Sequence, residues 1–242
     1  MTELTISPVR GLPELREGDD LAGMIVERAE LQDGDVLVVA QKAISKIEGR
    51  VVRLDEVEPS ARARELAGDS DPRRVEVILG EAKRVVRNRG SLLITETRHG
   101  FVCAASGVDA SNAPEPGTVV LLPVDPDASA ARLRSALGEL TGRDVGVVVS
   151  DSFGRPWRQG TTDIAVGAAG LEVLRDLNGE RDPSGYELKS TVIAVADEIA
   201  GAAELVMGKL DRTPVAIVRG LDVAGEASAR DLVMPAERNL FS

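Results

Sequence analysis

Two aspartates occupy positions from which carboxylate oxygens could bind a metal ion. Asp151 follows the apolar run 145–149 after a single residue, Ser150, and Asp109 lies in a Gly/Ser/Asn-rich segment after a β-like run. Mg²⁺ and Mn²⁺ prefer carboxylate oxygens on a rigid frame and share their coordination shell with phosphate oxygens and water. Asn112 lies three residues after Asp109, and Ser152 is next to Asp151, so each could bind the same ligand as its neighbouring aspartate. The pattern therefore indicates a metal–phosphate site.

Basic residues close to these acids strengthen that hypothesis. Arg155 and Arg158 follow Asp151, and Lys42 and Lys46 follow the apolar run 36–39, where we expect a loop. Cations beside a metal-holding carboxylate are what a triphosphate or an acyl phosphate requires. Spacing alone leaves the alternatives open, namely a solvated surface for the four cations and turn or cap roles for the two aspartates.

The elements that position these residues follow from hydrophobic runs and capping signals. Helices are predicted at 61–67 after Ser60, from Asp71-Pro72, through Ala130 to Gly142, and at 197–207 before Gly208. Strands are predicted at 36–39, 51–52, 92–94, 101–102, 118–122, 145–149 and 215–218. Helices and strands do not alternate strictly, which favours an α+β fold over a doubly wound parallel sheet.

Composition narrows the class of partner. The 242 residues carry a formal net charge of −11 and only 2% aromatic residues, so a nucleic acid or an anionic membrane surface is not expected as a partner. A local basic pocket can still hold a small phosphorylated ligand. The N-terminal segment lacks a secretory signal and no apolar run is long enough for a bilayer, so we expect a cytoplasmic protein.

The remaining single residues have ordinary structural interpretations. Cys103 is the only cysteine, which excludes an intrachain disulfide and predicts a small buried side chain. His99, the only histidine, is expected to be structural. Trp157 is interpreted as a core or interface anchor. Asp197-Glu198 could be an acid–base pair or a solvated helix start.

The sequence lacks the common nucleotide-binding motifs and the nucleophile motif of α/β-hydrolases. Six residues separate Gly201 from Gly208, where a phosphate-binding loop needs four, and Leu210 stands in place of Ser or Thr. No G-x-G-x-x-G follows a strand and no G-x-S-x-G is present. The sequence therefore predicts neither a Rossmann nor a P-loop core.

Several segments, in order along almost the whole chain, resemble the coenzyme F420:L-glutamate ligases. The segments are PVRGLP at 8–13, QKAISKIEGR at 41–50, GVDASN at 107–112, SDSFGRPWR at 150–158, AVADEIA at 194–200, ELVMGK at 204–209 and PVAIVRG at 214–220. Many scattered matches are far more specific than any one of them.

The resemblance implies GTP-dependent addition of L-glutamate to the phospholactate tail of coenzyme F420-0, followed by a second glutamate through a γ-linkage. It also implies Mg²⁺ or Mn²⁺, with K⁺ as a further candidate cofactor, and a homodimer. The implied fold is one α+β ligase domain over 1–242, with two intimately associated subdomains, mixed or antiparallel sheets and no fused nitroreductase-like domain.

The resemblance also assigns residue roles. Asp109 and Asp151 match metal ligands, and Asp151, Arg155 and Arg158 are the predicted catalytic residues. The predicted nucleotide contacts are Gly11, Leu12, Pro13, Glu14, Gln41, Lys46, Asn112, Ser152, Met207, Gly208 and Lys209. Two alternatives stay open, a related amide-forming ligase acting on another phosphorylated acid and a non-catalytic nucleotide or deazaflavin sensor.

Overall fold

The structure, a computed structural model, describes residues 3–240. Its strands are β1 (Thr5–Pro8), β2 (Val36–Ala40), β3 (Val51–Arg53), β4 (Ala82–Arg89), β5 (Leu92–Thr97), β6 (Val102–Ala104), β7 (Thr118–Val120), β8 (Gly146–Arg155), β9 (Arg158–Ala169), β10 (Arg175–Asp176), β11 (Val192–Ile193) and β12 (Val215–Arg219). Its α-helices are α1 (Leu21–Val26), α2 (Gln41–Ile47), α3 (Ala61–Ala67), α4 (Pro72–Glu81), α5 (Pro126–Thr141) and α6 (Val195–Met207).

The largest sheet has five strands in the order β1-β12-β2-β8-β9. Within it β2 and β8 are parallel, and every other neighbouring pair is antiparallel. The continuous apolar runs of β2, β8 and β12 fit this central position, because a strand covered on both faces buries all its side chains. Alternation divides those side chains between two cores.

Helices cover both faces of this sheet. Leu37 and Val149 pack with Ile25 of α1 and Leu137 of α5. On the other face, Val38, Val148 and Ala216 pack with Ile199 and Ala203 of α6. The sheet therefore lies between two helical layers and holds the ends of its strands in fixed positions.

A second, smaller core is formed by α3, α4 and the short sheets β3-β7 and β4-β5-β6. The predicted caps are confirmed, because Ser60 accepts a hydrogen bond from Ala63 N–H and Asp71 accepts one from Arg73 N–H. The remaining sheet pairs β10 with β11. The predicted α+β fold with mixed and antiparallel sheets is confirmed.

The prediction of a loop at Lys42 and Lys46 is wrong. Helix α2 begins directly after β2, and Ala43, Ile44 and Ser45 on it are buried. Ile44 packs in the core beside the large sheet, and this apolar contact stabilises a helix in the largely polar segment 41–46.

The assignment of Asp151 to a strand end is also wrong. Strand β8 continues through Asp151 to Arg155 and pairs with β9 in a long hairpin. The ladder to β9 satisfies the backbone of this polar stretch, so the polar side chains do not end the strand. Trp157, in the turn of the hairpin, is 82% exposed, so the core interpretation of it is wrong.

No helix in residues 3–240 is long and apolar enough to cross a bilayer.

Candidate active site

A cavity of about 610 Å³ lies where β2 ends and α2 begins. Segments from distant parts of the chain form its wall. Among the predicted site residues, the wall contains Leu12, Pro13, Glu14, Gln41, Lys46, Asn112, Asp151, Ser152, Met207, Gly208 and Lys209. The fold thus brings most of the predicted residues to one place.

Asp151 lies one residue beyond Ser150, which is the last residue of β8 paired with β2. Its carboxyl group therefore stands at the cavity edge although β8 itself continues. Burial, with smaller contributions from the nearby carboxylates of Asp163 and Asp109, raises the pKa of Asp151 to about 7, although the Ser152 N–H and the charge of Lys42 lower it. A bound cation would favour the ionised carboxylate.

Asp163, on β9, is a site residue that the sequence interpretation missed. It is 5% exposed and accepts hydrogen bonds from Ser150 Oγ at 2.9 Å and Ser152 Oγ at 2.6 Å. Ser152 and Asp163 are opposite each other in the β8–β9 ladder. The available signal was an acidic residue directly before the apolar run 164–169. Its two serine partners became visible only with the strand pairing.

Asp109 lies beside the cavity and is joined to its wall through Lys42. Lys42 Nζ donates to Asp109 Oδ2 at 2.5 Å, and Ser111 N–H donates to Oδ1 at 2.7 Å. The second contact is the Asx-type turn that spacing left open. Burial raises the pKa of Asp109, but the hydrogen bonds from Lys42 and Ser111 outweigh it and bring the pKa to about 2.

The two lysines of α2 are mostly buried. Their side chains retain 14% exposure at Lys42 and 11% at Lys46, so the solvated-surface alternative is wrong for them. Lys46 pairs with Glu14, which ties the N-terminal segment to α2. Lys209 and Arg212 add further basic groups to the wall, which also contains the acidic Glu204.

Gln41 presents an unused donor at the wall. Its side chain is 1% exposed, and its Oε1 accepts a hydrogen bond from Ser45 Oγ at 2.9 Å. Its Nε2 has no hydrogen-bond partner among the described residues. A buried amide donor of this kind is suited to a ligand oxygen, because an unpaired buried polar group is costly.

Besides Asp109, three predicted residues are not on this wall. Gly11 lies just before it and accepts a hydrogen bond from Arg28 Nε at 3.0 Å. Arg155 and Arg158 are exposed near the turn of the β8–β9 hairpin, and Arg155 lines a neighbouring cavity instead. Their catalytic roles stay predictions.

The donors present fit a hard divalent cation. Residues 3–240 contain no cluster of three His, Cys, Asp or Glu side chains with metal-binding geometry. Mg²⁺, however, commonly uses one or two carboxylates and completes its shell with phosphate oxygens and water. Asp109 and Asp151, with hydroxyl groups nearby, match that requirement.

Other predicted roles are now resolved. Cys103 is buried, and His99 Nε2 contacts the carbonyl oxygen atoms of Pro123 and Val124 at 3.0 and 3.1 Å, as expected of a structural histidine. The interpretation of Asp197 as a solvated residue at a helix start is wrong. Its partly buried carboxylate accepts the Ala165 N–H at 2.9 Å, and burial raises its pKa.

The fold and the cavity define an α+β protein with a candidate ligand site of mixed charge. The F420-0:Gamma-glutamyl ligase family model matches residues 11–220, and the chain belongs to this family. The coenzyme F420:L-glutamate ligase of Methanopyrus kandleri is 50% identical, with 98% of this chain and 97% of that protein covered. The enzymes of the same name from Methanocaldococcus jannaschii and Archaeoglobus fulgidus are 45% and 44% identical, covering 95% and 98% of this chain and 94% and 95% of theirs.

Proposed function

We propose that this protein attaches L-glutamate to coenzyme F420-0 with GTP as the co-substrate and then adds a second glutamate through a γ-linkage. Membership of the ligase family supports the overall reaction. The observation that carries the proposal is the convergence of acidic and basic residues from distant segments on one cavity of about 610 Å³.

The reaction proceeds through an acyl phosphate. A carboxylate oxygen of the acceptor attacks the γ-phosphorus of GTP, the bond from that phosphorus to the bridging oxygen breaks, and GDP leaves. The amine of L-glutamate then attacks the acyl carbon, inorganic phosphate leaves, and the amine gives up a proton as the amide forms. Acceptor and triphosphate are both anionic, so their approach needs neutralising charges.

The chain's own cations supply part of that neutralisation. Lys42, Lys46, Lys209 and Arg212 all belong to the cavity wall. Charged hydrogen bonds from such groups to phosphate oxygens are stronger than neutral ones. Gln41 Nε2 is a further donor toward the ligand, because no described protein group uses it.

Asp109 and Asp151 would hold Mg²⁺ or Mn²⁺. When bound, the metal neutralises charge on the triphosphate. These two carboxylates would hold the metal near the lysines of α2, since Lys42 contacts Asp109. K⁺, the homodimer and a cytoplasmic location stay predictions.

An end-point assay read by mass spectrometry tests the proposal. Purified protein is mixed with F420-0, L-glutamate, GTP and MnCl₂, with metal-free and ATP controls. One or two added glutamyl units that require both metal and GTP are expected. GTP binding without a mass change would favour a sensor, and GDP release only with a different phosphorylated acid would favour a related ligase.

A further inference from the structure

A second cavity, of about 660 Å³, adjoins the first. Asp163 belongs to the walls of both cavities. The remainder of the second wall comes from β9, the end of β8 and the segment that leads into α6. A ligand in the second cavity would therefore lie next to a residue that also lines the first.

The charges of the second cavity select among the possible ligands. Its wall carries three carboxylate side chains, on Asp163, Asp197 and Glu198, and one guanidinium, on Arg155. A phosphodiester acceptor that brings only negative charge would be repelled by the three acids. A free α-amino dicarboxylic acid is also anionic overall, but its ammonium group can pair with these acids and one of its carboxylates with the guanidinium, which an acceptor without an ammonium group cannot match.

The uncharged part of the wall fits a short aliphatic chain. Ile164, Val192 and Ile193 supply apolar surface beside the charged groups. Gly201 keeps α6 close to β9, since a Cβ atom there would lie 3.3 Å from Thr162 Oγ1. Apolar contacts with a few well-placed polar groups are typical of small-molecule sites.

We propose that this second cavity binds the amino-acid substrate as a free α-amino dicarboxylic acid. This inference rests on the proposed ligase function and deepens it. Arg155 binds the side-chain carboxylate of the amino acid, and Asp197 and Glu198 bind its ammonium group. The amine then lies toward Asp163, the wall shared with the cavity that holds the activated acceptor.

The position of Arg155 distinguishes this role from a phosphate contact. Arg155 lines the second cavity and is absent from the wall of the first. Its side-chain hydrogen bond, donated to Gln159 O at 3.1 Å, uses Nη2 alone. A guanidinium carries five N–H donors, so donors suited to a bidentate carboxylate contact are left.

Steady-state kinetics of Arg155→Gln test the assignment, with Arg87→Gln on the exposed face of β4 as the matched control. We expect the KM for L-glutamate to rise about tenfold to a hundredfold, the usual effect of losing a charged hydrogen bond. The KM values for GTP and F420-0 should change less than twofold. Preference for L-glutamate over L-glutamine should fall by a similar factor, because glutamine lacks the side-chain carboxylate.

An unchanged KM for L-glutamate, or a rise confined to the KM for GTP, overturns the assignment while the ligase function stands. Calorimetric titration of L-glutamate into wild type and Arg155→Gln, with a non-hydrolysable GTP analogue present, distinguishes failure of the subsite assignment from failure of the proposed ligase function. If wild type forms no product yet binds L-glutamate and Arg155→Gln does not, the subsite survives without the proposed reaction. Equal binding by the two proteins, or none by wild type, overturns the subsite.

Discussion

Lys42 Nζ lies 2.5 Å from Asp109 Oδ2, in an ion pair that spans 67 positions of sequence. The pair joins the helix that follows β2 to the loop that follows β6. The contact therefore links the large sheet to the smaller core. Both partners also belong to the candidate metal–phosphate site, so the ion pair fixes the positions of two groups that we expect to contact the ligand.

This ion pair predicts a pH-dependent contribution to stability. The folded pKa of Asp109 is about 2, below its ordinary value of 3.8. The ionised form is therefore favoured by folding, and its contribution is present above 3.8 and is lost as pH falls through about 2. The difference in thermal midpoint between wild type and Asp109→Asn should shrink from pH 5 to pH 2.

The Lys42→Met background provides the control for that measurement. Without the ammonium group, the carboxylate of Asp109 loses its main stabilising partner, so exchanging Asp109 for Asn should give a difference that changes much less with pH. A pH dependence equal to that in the wild-type background would show that Lys42 is not its cause.

Asp151→Asn should lower metal-dependent turnover strongly. Removing one charged contact of the reacting groups costs about 2.7–4 kcal/mol, or roughly 10²–10³-fold in rate, by analogy with an oxyanion donor. Initial rates measured across a series of MnCl₂ concentrations should also show a weaker apparent metal affinity.

Asp176→Asn, at an exposed position on β10, is the matched control and should leave the rate unchanged. Wild-type turnover in Asp151→Asn at every metal concentration would remove Asp151 from the metal site.

Much of the fold was predictable because its signals are local. The apolar runs 36–39 and 215–218 are continuous enough to indicate fully buried strands, and β2 and β12 occupy them. Ser60 and Asp71 mark helix starts by chemistry that acts within three residues.

The errors lie where pairing across the chain decides the structure. Residues 150–155 resemble a loop by composition, yet the ladder to β9 makes them a strand. Asp163 was missed for the same reason, because its importance comes from Ser150 and Ser152 on the neighbouring strand. The cavity residues 207–209 were found only through the family resemblance.

Cys103 should react very slowly with thiol reagents in the folded protein. Burial, with a smaller effect from the charge of Asp151, raises the pKa of its thiol from 9.0 to about 12. The thiolate is the reactive species, so its fraction near pH 8 falls about a thousandfold relative to an ordinary thiol. Labelling with 5,5′-dithiobis(2-nitrobenzoate), followed at 412 nm, should be slow in buffer and fast in 8 M urea. Rapid stoichiometric labelling of the folded protein would contradict the burial of Cys103.

Asp35→Ala should destabilise the protein more than loss of any surface ion pair. Asp35 is fully buried and accepts two hydrogen bonds from Arg219, at 2.7 and 2.8 Å, that link β12 to the start of β2. Removing one partner of a buried pair costs about 3–5 kcal/mol, because the other charge loses its compensation. The lower end, about 3 kcal/mol, is expected here since the Arg219 side chain keeps 36% exposure and can reach water.

Urea unfolding followed by circular dichroism measures the decrease in unfolding free energy caused by Asp35→Ala, with Glu58→Ala as the control. Glu58 pairs with Arg64 on the surface, where the two side chains are 89% and 56% exposed, and such pairs contribute less than about 1 kcal/mol. Asp35→Asn separates charge from shape, because an amide can still accept one of the Arg219 hydrogen bonds and should recover part of the loss. Equal unfolding free energies for Asp35→Ala and Glu58→Ala would mean that the buried pair does not stabilise the junction of β12 and β2.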